Sequence, residues 1–247
     1  MKRSLFPVLL LALALPVLTG CPQDSVEGGV PDVAPDRPVP IGILGTGPLV
    51  LEGTIYTIVQ ARSGRPGYEK YSGSGKVEVY TYQDKSLGAA DLNAGEFSIT
   101  INEPAALEQL NLSSYFSGWK NPRIAPADVE GVSIHLAENN ERAISREEIF
   151  NYHGNENNYT CRQEYVWYFY VDRDVTIWLN REEDAGEHKE EGITYSNSWT
   201  FEAAVLQFKK GWNAVHFKLE QSVSSTRQSE TTSVSLGHPD LKWIIYQ

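Results

Sequence analysis

Five stretches of this chain alternate apolar and polar side chains with a period of two, and that period confines it to β structure. In EFSITI, Phe97, Ile99 and Ile101 face one way while Glu96, Ser98 and Thr100 face the other. KVEVYTY (76–82), VSIHL (132–136), DVTIWL (174–179) and AVHFKLE (214–220) repeat the pattern. Successive side chains of a strand point to opposite faces, so each stretch is expected to lay one face on a core and the other toward water. Half-buried strands of this kind belong to antiparallel sheets. Turn-forming runs separate them: RSGRPG, NAGE, DRD and KKGWN. Helical signal is sparse. Pro104 suits the first turn of a short helix through PAALEQL, and Ser145 with Glu148 fits a capping box ahead of IFNY. The expected fold class is all-β, an antiparallel β-sandwich with small helical decorations.

Residues 22–48 are rich in Pro, Gly and Asp. Such a segment buries too little apolar surface to offset its ordering entropy and is expected to be a flexible tether. The β region after it covers about 200 residues, room for one large sandwich or two small ones. Two are expected, over 49–128 and 129–247. Within the first, Gly53, Val77, Val79, Gly95, Phe97 and Ile99 fill a pattern that resembles the transthyretin-like regulatory modules of carboxypeptidases. The RSGRPGYEKYSGSG insertion departs from that pattern and leaves its strand order open. In the second, Leu206 to Val215 resembles a hairpin of jelly-roll and galactose-binding-like sandwiches, with two added residues before Gly211. The strand pair in YVDRDVTI and the late GWN also resemble a recurrent group of bacterial lipoproteins, a likeness that carries no known activity with it.

The chemistry-bearing residues form no complete catalytic set. YSGSGK lacks both ends of a phosphate loop, with Lys70 where a glycine is needed and Val77 where Ser or Thr is needed. Asp172 and Asp174 stand at the spacing of a Ca²⁺ pair, but Asp is also a turn former and Arg173 competes. The acidic run REEDAGEHKEE, with Glu182, Glu183, Asp184, Glu187 and His188, reads as a solvated loop. No His spacing fits a metal, so no metal and no cofactor is expected. Cys161 has no His within five residues and reads as a small buried hydrophobe. The aromatic run is the informative excess. Tyr165, Trp167 and Phe169 share one face of a strand, and Tyr168 and Tyr170 share the other. One face must be core. The other either forms an exposed platform for sugar rings or is buried in turn by a loop or the neighbouring domain. Tyr168, Tyr170 and Trp178 are the expected ligand contacts.

The N-terminus constrains location. Lys2 and Arg3 precede an uncharged run, Leu5 to Leu18, shorter than the ~20 residues a spanning helix needs. This layout is that of an export signal, residues 1–20. Leu18, Thr19, Gly20 and Cys21 resemble the lipobox of bacterial lipoproteins. The resemblance implies a diacylglycerol thioether on Cys21, cleavage before it, and N-acylation in many bacteria. Each buried methylene contributes about 0.8 kcal/mol, so two or three chains hold firmly where one does not. Loss of residues 1–20 removes Lys2 and Arg3 and no acid, moving the formal charge from −11 to −13. Nucleic acid and direct adsorption to anionic lipid are disfavoured. With Cys21 acylated, Cys161 has no partner for an intramolecular disulfide.

The expected function is a non-catalytic binding or accessory module, anchored to the cell envelope through acylated Cys21, at the outer membrane or cell surface. A glycan, another small ligand or an envelope protein is its expected partner. The alternatives are a structural or assembly component of the envelope, and a hydrolase with a dispersed site. Cys21→Ser should abolish fatty-acid labelling and move the protein out of the membrane fraction while leaving its β spectrum intact, because Cys21 precedes the tether and contacts no core. Cys161→Ser should do neither. Retention of label and membrane association by the Cys21 variant would overturn the lipoprotein reading.

Overall fold

The computed structural model describes residues 42–60, 66–155, 158–190 and 193–246. The export signal, Cys21 and the tether as far as residue 41 lie outside the described residues. In chain order the strands are β1 Ile43–Gly45, β2 Leu49–Gln60, β3 Pro66–Lys70, β4 Gly75–Thr81, β5 Ser86–Leu92 and β6 Glu96–Ile101. β7 Glu108–Gln109, the short helix α1 Leu112–Tyr115 and β8 Arg123–Ala125 follow. Then come β9 Glu130–Glu138, β10 Arg142–Asn155, β11 Asn158–Val171 and β12 Val175–Leu179. The last are β13 Glu182–Glu190, β14 Ile193–Phe201, β15 Ala204–Phe208, β16 Gly211–Val223, β17 Arg227–Leu236 and β18 Trp243–Ile245. The chain is an all-β sandwich.

Its centre is the antiparallel pair β11–β16, in register from Tyr159↔Val223 to Val171↔Gly211. Toward the Val171 end both faces of this pair are buried. Tyr168, Tyr170, Trp212 and Ala214 enter one core, which β2, β4 and β6 close with Leu51, Ile55, Val77, Val79, Phe97, Ile99 and Ile101. Phe169, Val171, Val215 and Phe217 enter a second core. It is closed by the three-stranded sheet β15-β12-β8 and the segment around α1, through Phe116, Val175, Ile177, Leu206 and Phe208. The central sheet thus serves two sandwiches. Of the residues the alternation assigns to cores, Phe97, Ile99, Ile101, Val175, Ile177, Leu179, Val215 and Phe217 are buried. Leu219 is half-buried, where β16 runs past the second core.

The two cores divide by sheet face and not at residue 128. β4 and β7 pair with β9, β18 pairs with β2, and β8 pairs with β12, so strands from either side of 128 hydrogen-bond to one another. Pro38–Gln247 is one compact unit. Two of the pairings, β14–β17 and β18–β2, are parallel. The end of the expected tether is also part of the fold. Ile43 and Gly45 pair with Asn213 and Trp212, and Leu44 packs on the first core.

The helical expectations give way to strand. Residues 104–110 form a bend and β7, with the only helix of the described residues following at Leu112–Tyr115. Ser145 and Glu148 lie in β10, whose neighbours β9, β11 and β18 satisfy its backbone, and the Ser145 hydroxyl donates to Glu147 Oε2 instead of capping. A four-residue local signal competes poorly with three hydrogen-bonded neighbours. The acidic run 182–190 is likewise β13, an exposed edge strand and not a loop.

KKGWN is a crossing between sheets, not a paired hairpin: β15 belongs to the three-stranded sheet and β16 to the central one. Asn213, fully buried, holds the crossing. Its Nδ2 donates to Lys209 O at 2.7 Å and Gly211 O at 2.9 Å, and its Oδ1 accepts from Lys209 N at 3.0 Å. Gly211 has φ +102°, and a Cβ there would stand 2.2 Å from Gly45 O. Trp212 follows, 1% exposed and edge-on to Tyr170 at 5.2 Å. Among the described residues its Nε1 finds no acceptor. Trp212→Ala should therefore destabilise by about 3 kcal/mol or more, and Trp212→Phe, which removes no hydrogen bond, by less. Chemical denaturation of the two variants checks this, and an unchanged midpoint for Trp212→Ala would refute a packing role for this ring.

Candidate functional site

At the middle of β11 the central sheet forks. Tyr168 pairs with Ile134 of β9, whereas Val166 pairs with Arg146 of β10, and Trp167 falls between the two partners. Trp167 points to the second-core side, like Phe169, but lies beyond the cover of α1. It is 38% exposed. Phe217 supports it from the adjacent strand at 4.6 Å, and Tyr165 lies 5.7 Å away.

Tyr115, at the end of α1, joins this ring group edge-on, 5.1 Å from Phe169 and 6.1 Å from Trp167. Its hydroxyl is hydrogen-bonded to Ser133 of β9. Leu112, on the same short helix, and Phe116, just after it, are buried and anchor it. Tyr82 continues the series, 5.7 Å from Tyr115 and 66% exposed. It stands on the β4–β5 turn, where Thr81 Oγ1 accepts from the backbone N–H groups of Gln83 and Lys85. On the same face, Tyr80 of β4 and His135 of β9 are cross-strand partners with rings 5.7 Å apart. Aromatic side chains with wet edges and buried backs are thus gathered from β4, β9, β11 and α1.

The flanking charges are mainly acidic. Burial, then the Glu78 and Asp84 carboxylates, hold the Tyr80 hydroxyl above its ordinary value, and Lys85 is paired with Glu108. Burial holds the His135 imidazole below its ordinary value, with Asp84 opposing, so the ring is neutral at neutral pH. Such a surface offers apolar ring faces for stacking and hydroxyls for hydrogen bonds at their rims.

The residues expected to bind ligand are placed otherwise. Tyr168 and Tyr170 are 3% and 4% exposed, within the first core. The face of β11 expected as a platform is therefore covered, by β2, β4, β6 and β18, and the exposed aromatics are on the opposite face. Tyr170 donates to Glu103 Oε2 at 3.0 Å. Trp178 is remote from both, half-buried on the outer face of the three-stranded sheet, with the Arg123 guanidinium 4.0 Å above its ring centre. That cation occupies the ring face a sugar would need. Alternation revealed the two faces of β11 but carried no information about which strands cover each; Trp167 was legible as an aromatic and not as the exposed one.

The remaining candidates are engaged in structure. Asp172 Oδ1 accepts from Glu130 N at 3.0 Å and its Oδ2 from Arg173. Asp174 accepts from Lys209 Nζ at 2.6 Å and Lys210 N at 3.0 Å. Each carboxylate is tied to a different partner set. Among the described residues no group of three or more His, Cys, Asp or Glu side chains could hold a metal ion. Cys161 is half-buried, its thiol pushed up by burial and then by Glu230. Glu164 and His216, both buried, are 2.9 Å apart, with Arg162 on the other carboxylate oxygen. YSGSGK spans the approach to β4 and holds no helix start. Comparison with family models, curated proteins and solved structures finds no match to this chain.

One buried polar cluster has a measurable consequence. His238 Nε2 lies 2.6 Å from Arg146 Nη1 and 2.8 Å from Tyr168 Oη, so a neutral ring accepts from both. Burial and then Arg146 push His238 down to about 4, with exposed Asp240 opposing. Between that value and the ordinary 6.5 the unfolded chain binds the extra proton. The cluster's stabilisation is present above pH 6.5 and is lost as pH falls through 4. The melting temperature should fall over that window, and His238→Gln should flatten the slope; an unchanged slope would place the titration elsewhere.

Proposed function

We propose that this protein is a lipid-anchored, non-catalytic binding module of the bacterial cell envelope, and that the aromatic surface around Trp167 and Tyr82 contacts a glycan. The observation that carries the reading is the exposed pair itself. Two large aromatics open to water, backed by a continuous set of rings and fixed by Tyr115, are costly to leave uncovered unless they have work at the surface. Stacking on the apolar face of a sugar ring, with hydroxyls bonded at the rim, suits amphipathic rings on an open surface. The lipobox resemblance at Cys21 supplies the anchor, and acidic charge leaves no electrostatic route to the membrane.

An assembly role would draw on an unpaired sheet edge. The edge strand β13 presents Glu182, Glu183, Asp184 and Glu187 beside Lys189, and an edge this rich in charge opposes strand addition. The binding reading is therefore preferred.

Binding to a panel of soluble polysaccharides, followed by affinity electrophoresis of the detergent-solubilised protein, tests it. Trp167→Ala and Tyr82→Ala should each weaken retardation by the best ligand about ten-fold, or 1.4 kcal/mol. Tyr82→Ala should leave the melting temperature unchanged, since that ring is mostly exposed. Retardation that neither substitution alters would put the contact surface elsewhere.

A further inference from the structure

The strand registers put His135 at the centre of the aromatic surface. His135 of β9 stands directly opposite Tyr80 of β4. Carried one residue past Tyr168↔Ile134, the β9–β11 register sets Trp167 on its other side. Residues opposite one another on neighbouring strands share a face, so Tyr80, His135 and Trp167 form one row. Tyr82, Ser133 and Phe169 form the next, with Tyr82 N donating to Ser133 O. Tyr115 covers that second row, through its bond to Ser133 and its edge contact with Phe169. The first row lies outside this cover: His135 and Trp167 are exposed and Tyr80 is half-buried. Strand spacing separates Tyr80 from Trp167 by about 10 Å, with the imidazole between them.

The nitrogens of this ring are uncommitted. His238 is bonded to Arg146 and Tyr168, and His216 to Glu164. His135 makes a stack instead, its ring 5.7 Å from that of Tyr80 with 24° between the planes. Among the described residues neither of its ring nitrogens has a hydrogen-bond partner. A neutral imidazole carries one N–H donor and one acceptor nitrogen, whereas the Trp167 indole has a donor alone. A sugar hydroxyl both donates and accepts, so it can pair with either nitrogen. Stacking on Trp167 and Tyr80 recognises the apolar face of a sugar and is indifferent to most of its hydroxyls. A hydrogen bond is not, since a site built to bond one hydroxyl rejects the analogue that lacks or misplaces it.

We infer that His135 is the specificity-determining contact of this surface, its imidazole bonding one hydroxyl of the sugar that stacks on the adjoining rings. This rests on the glycan reading above and adds the residue that selects among sugars. Titration calorimetry of the detergent-solubilised full-length protein tests it. The probes are cellohexaose, mannohexaose, xylohexaose and maltohexaose, which differ in the configuration or presence of hydroxyl groups or in linkage. The best of the four should bind at least about ten-fold more tightly than the weakest. His135→Phe keeps a ring on Tyr80 and removes both nitrogens; it should cut that preference to about two-fold or less. His135→Gln keeps a donor and an acceptor and removes the ring; it should retain more of the preference than His135→Phe. Trp167→Ala should weaken all four probes by a similar factor and leave their ratio in place. Melting curves confirm that each variant is folded. Equal binding of the four probes by the unaltered protein, an undiminished preference in His135→Phe, or a smaller preference in His135→Gln than in His135→Phe would overturn the inference while leaving a stacking glycan surface at Trp167. Failure of every saccharide to bind would overturn the glycan reading and this inference together.

Discussion

The antiparallel register of β11 against β16 is the constraint on which the rest depends. Over thirteen residue pairs the two strands satisfy each other's backbone groups on one side, and β1, β9, β10 and β17 do so on the other. Only a strand with complete backbone pairing can bury both faces without stranding polar groups. That condition is met at the Val171 end, and there the buried residues are apolar or aromatic, Tyr168, Phe169, Tyr170 and Val171 against Gly211, Trp212, Ala214 and Val215, with Asn213 the one polar exception. Toward the Tyr159 end the covering layers stop and polar residues take over both faces. A one-residue slip would exchange the two cores, moving Phe169 to the site shaped for Tyr168. The phenol, which needs Arg146 and His238, would then face Phe116 and Phe208.

The same register explains the crossings. β11 leads to β12, and β15 to β16, across the gap between the central sheet and the three-stranded one. The two crossings lie side by side, because β12 and β15 pair with each other, with Val175 opposite Phe208. Asp174 ties them through Lys209 and Lys210, while Asn213 satisfies the backbone of its own crossing. Groups at such crossings leave a sheet ladder and must find partners elsewhere, which is why short polar side chains stand there and not apolar ones. The carboxylates that invite a calcium reading are accounted for by this task.

Local periodicity carried much of the fold and little of the site. Period-two alternation identified EFSITI, VTIWL and the middle of β16 as strands with the correct faces inward, because each of those strands meets a core on that face. It did not distinguish a strand from a solvated loop over 182–190, where no face is buried and the pattern has nothing to report. Ser145 and Glu148 resembled a helix start because capping is local, while the pairing of β10 with three strands as far away as β18 is not. The tether's end was misread for a similar reason: Ile43–Gly45 is ordered by contact with β16, and its own composition gives no sign of it. The choice between Trp167 and Tyr168 as the exposed aromatic depends on β2, β4, β6 and β18 covering one face of β11, strands separated from it by dozens of residues.

The location of the aromatic surface follows from these layers. An exposed ring needs a rigid base if stacking is to recover more than it loses in ordering. Trp167 has that base, since it rises from a strand whose neighbours Phe169 and Phe217 are immobilised in the second core, and it emerges at the place where β9 diverges from β10. Tyr115 is held from below by Phe169 and from the side by Ser133. The site therefore lies at the margin of the core, where packing still fixes the side chains but no longer covers them. Toward the Tyr159 end of β11 most residues of both faces are half-buried or exposed, and the two faces have diverged. One face pairs Arg162 with Glu164 and Lys218 with Glu220 and so neutralises itself. The other retains rings, amides and unopposed acids. A partly exposed sheet face needs only polar residues for solubility, and alternating ion pairs would have served on both sides. The exclusion of Lys and Arg from the face that continues from Trp167 is an asymmetry that solubility does not require.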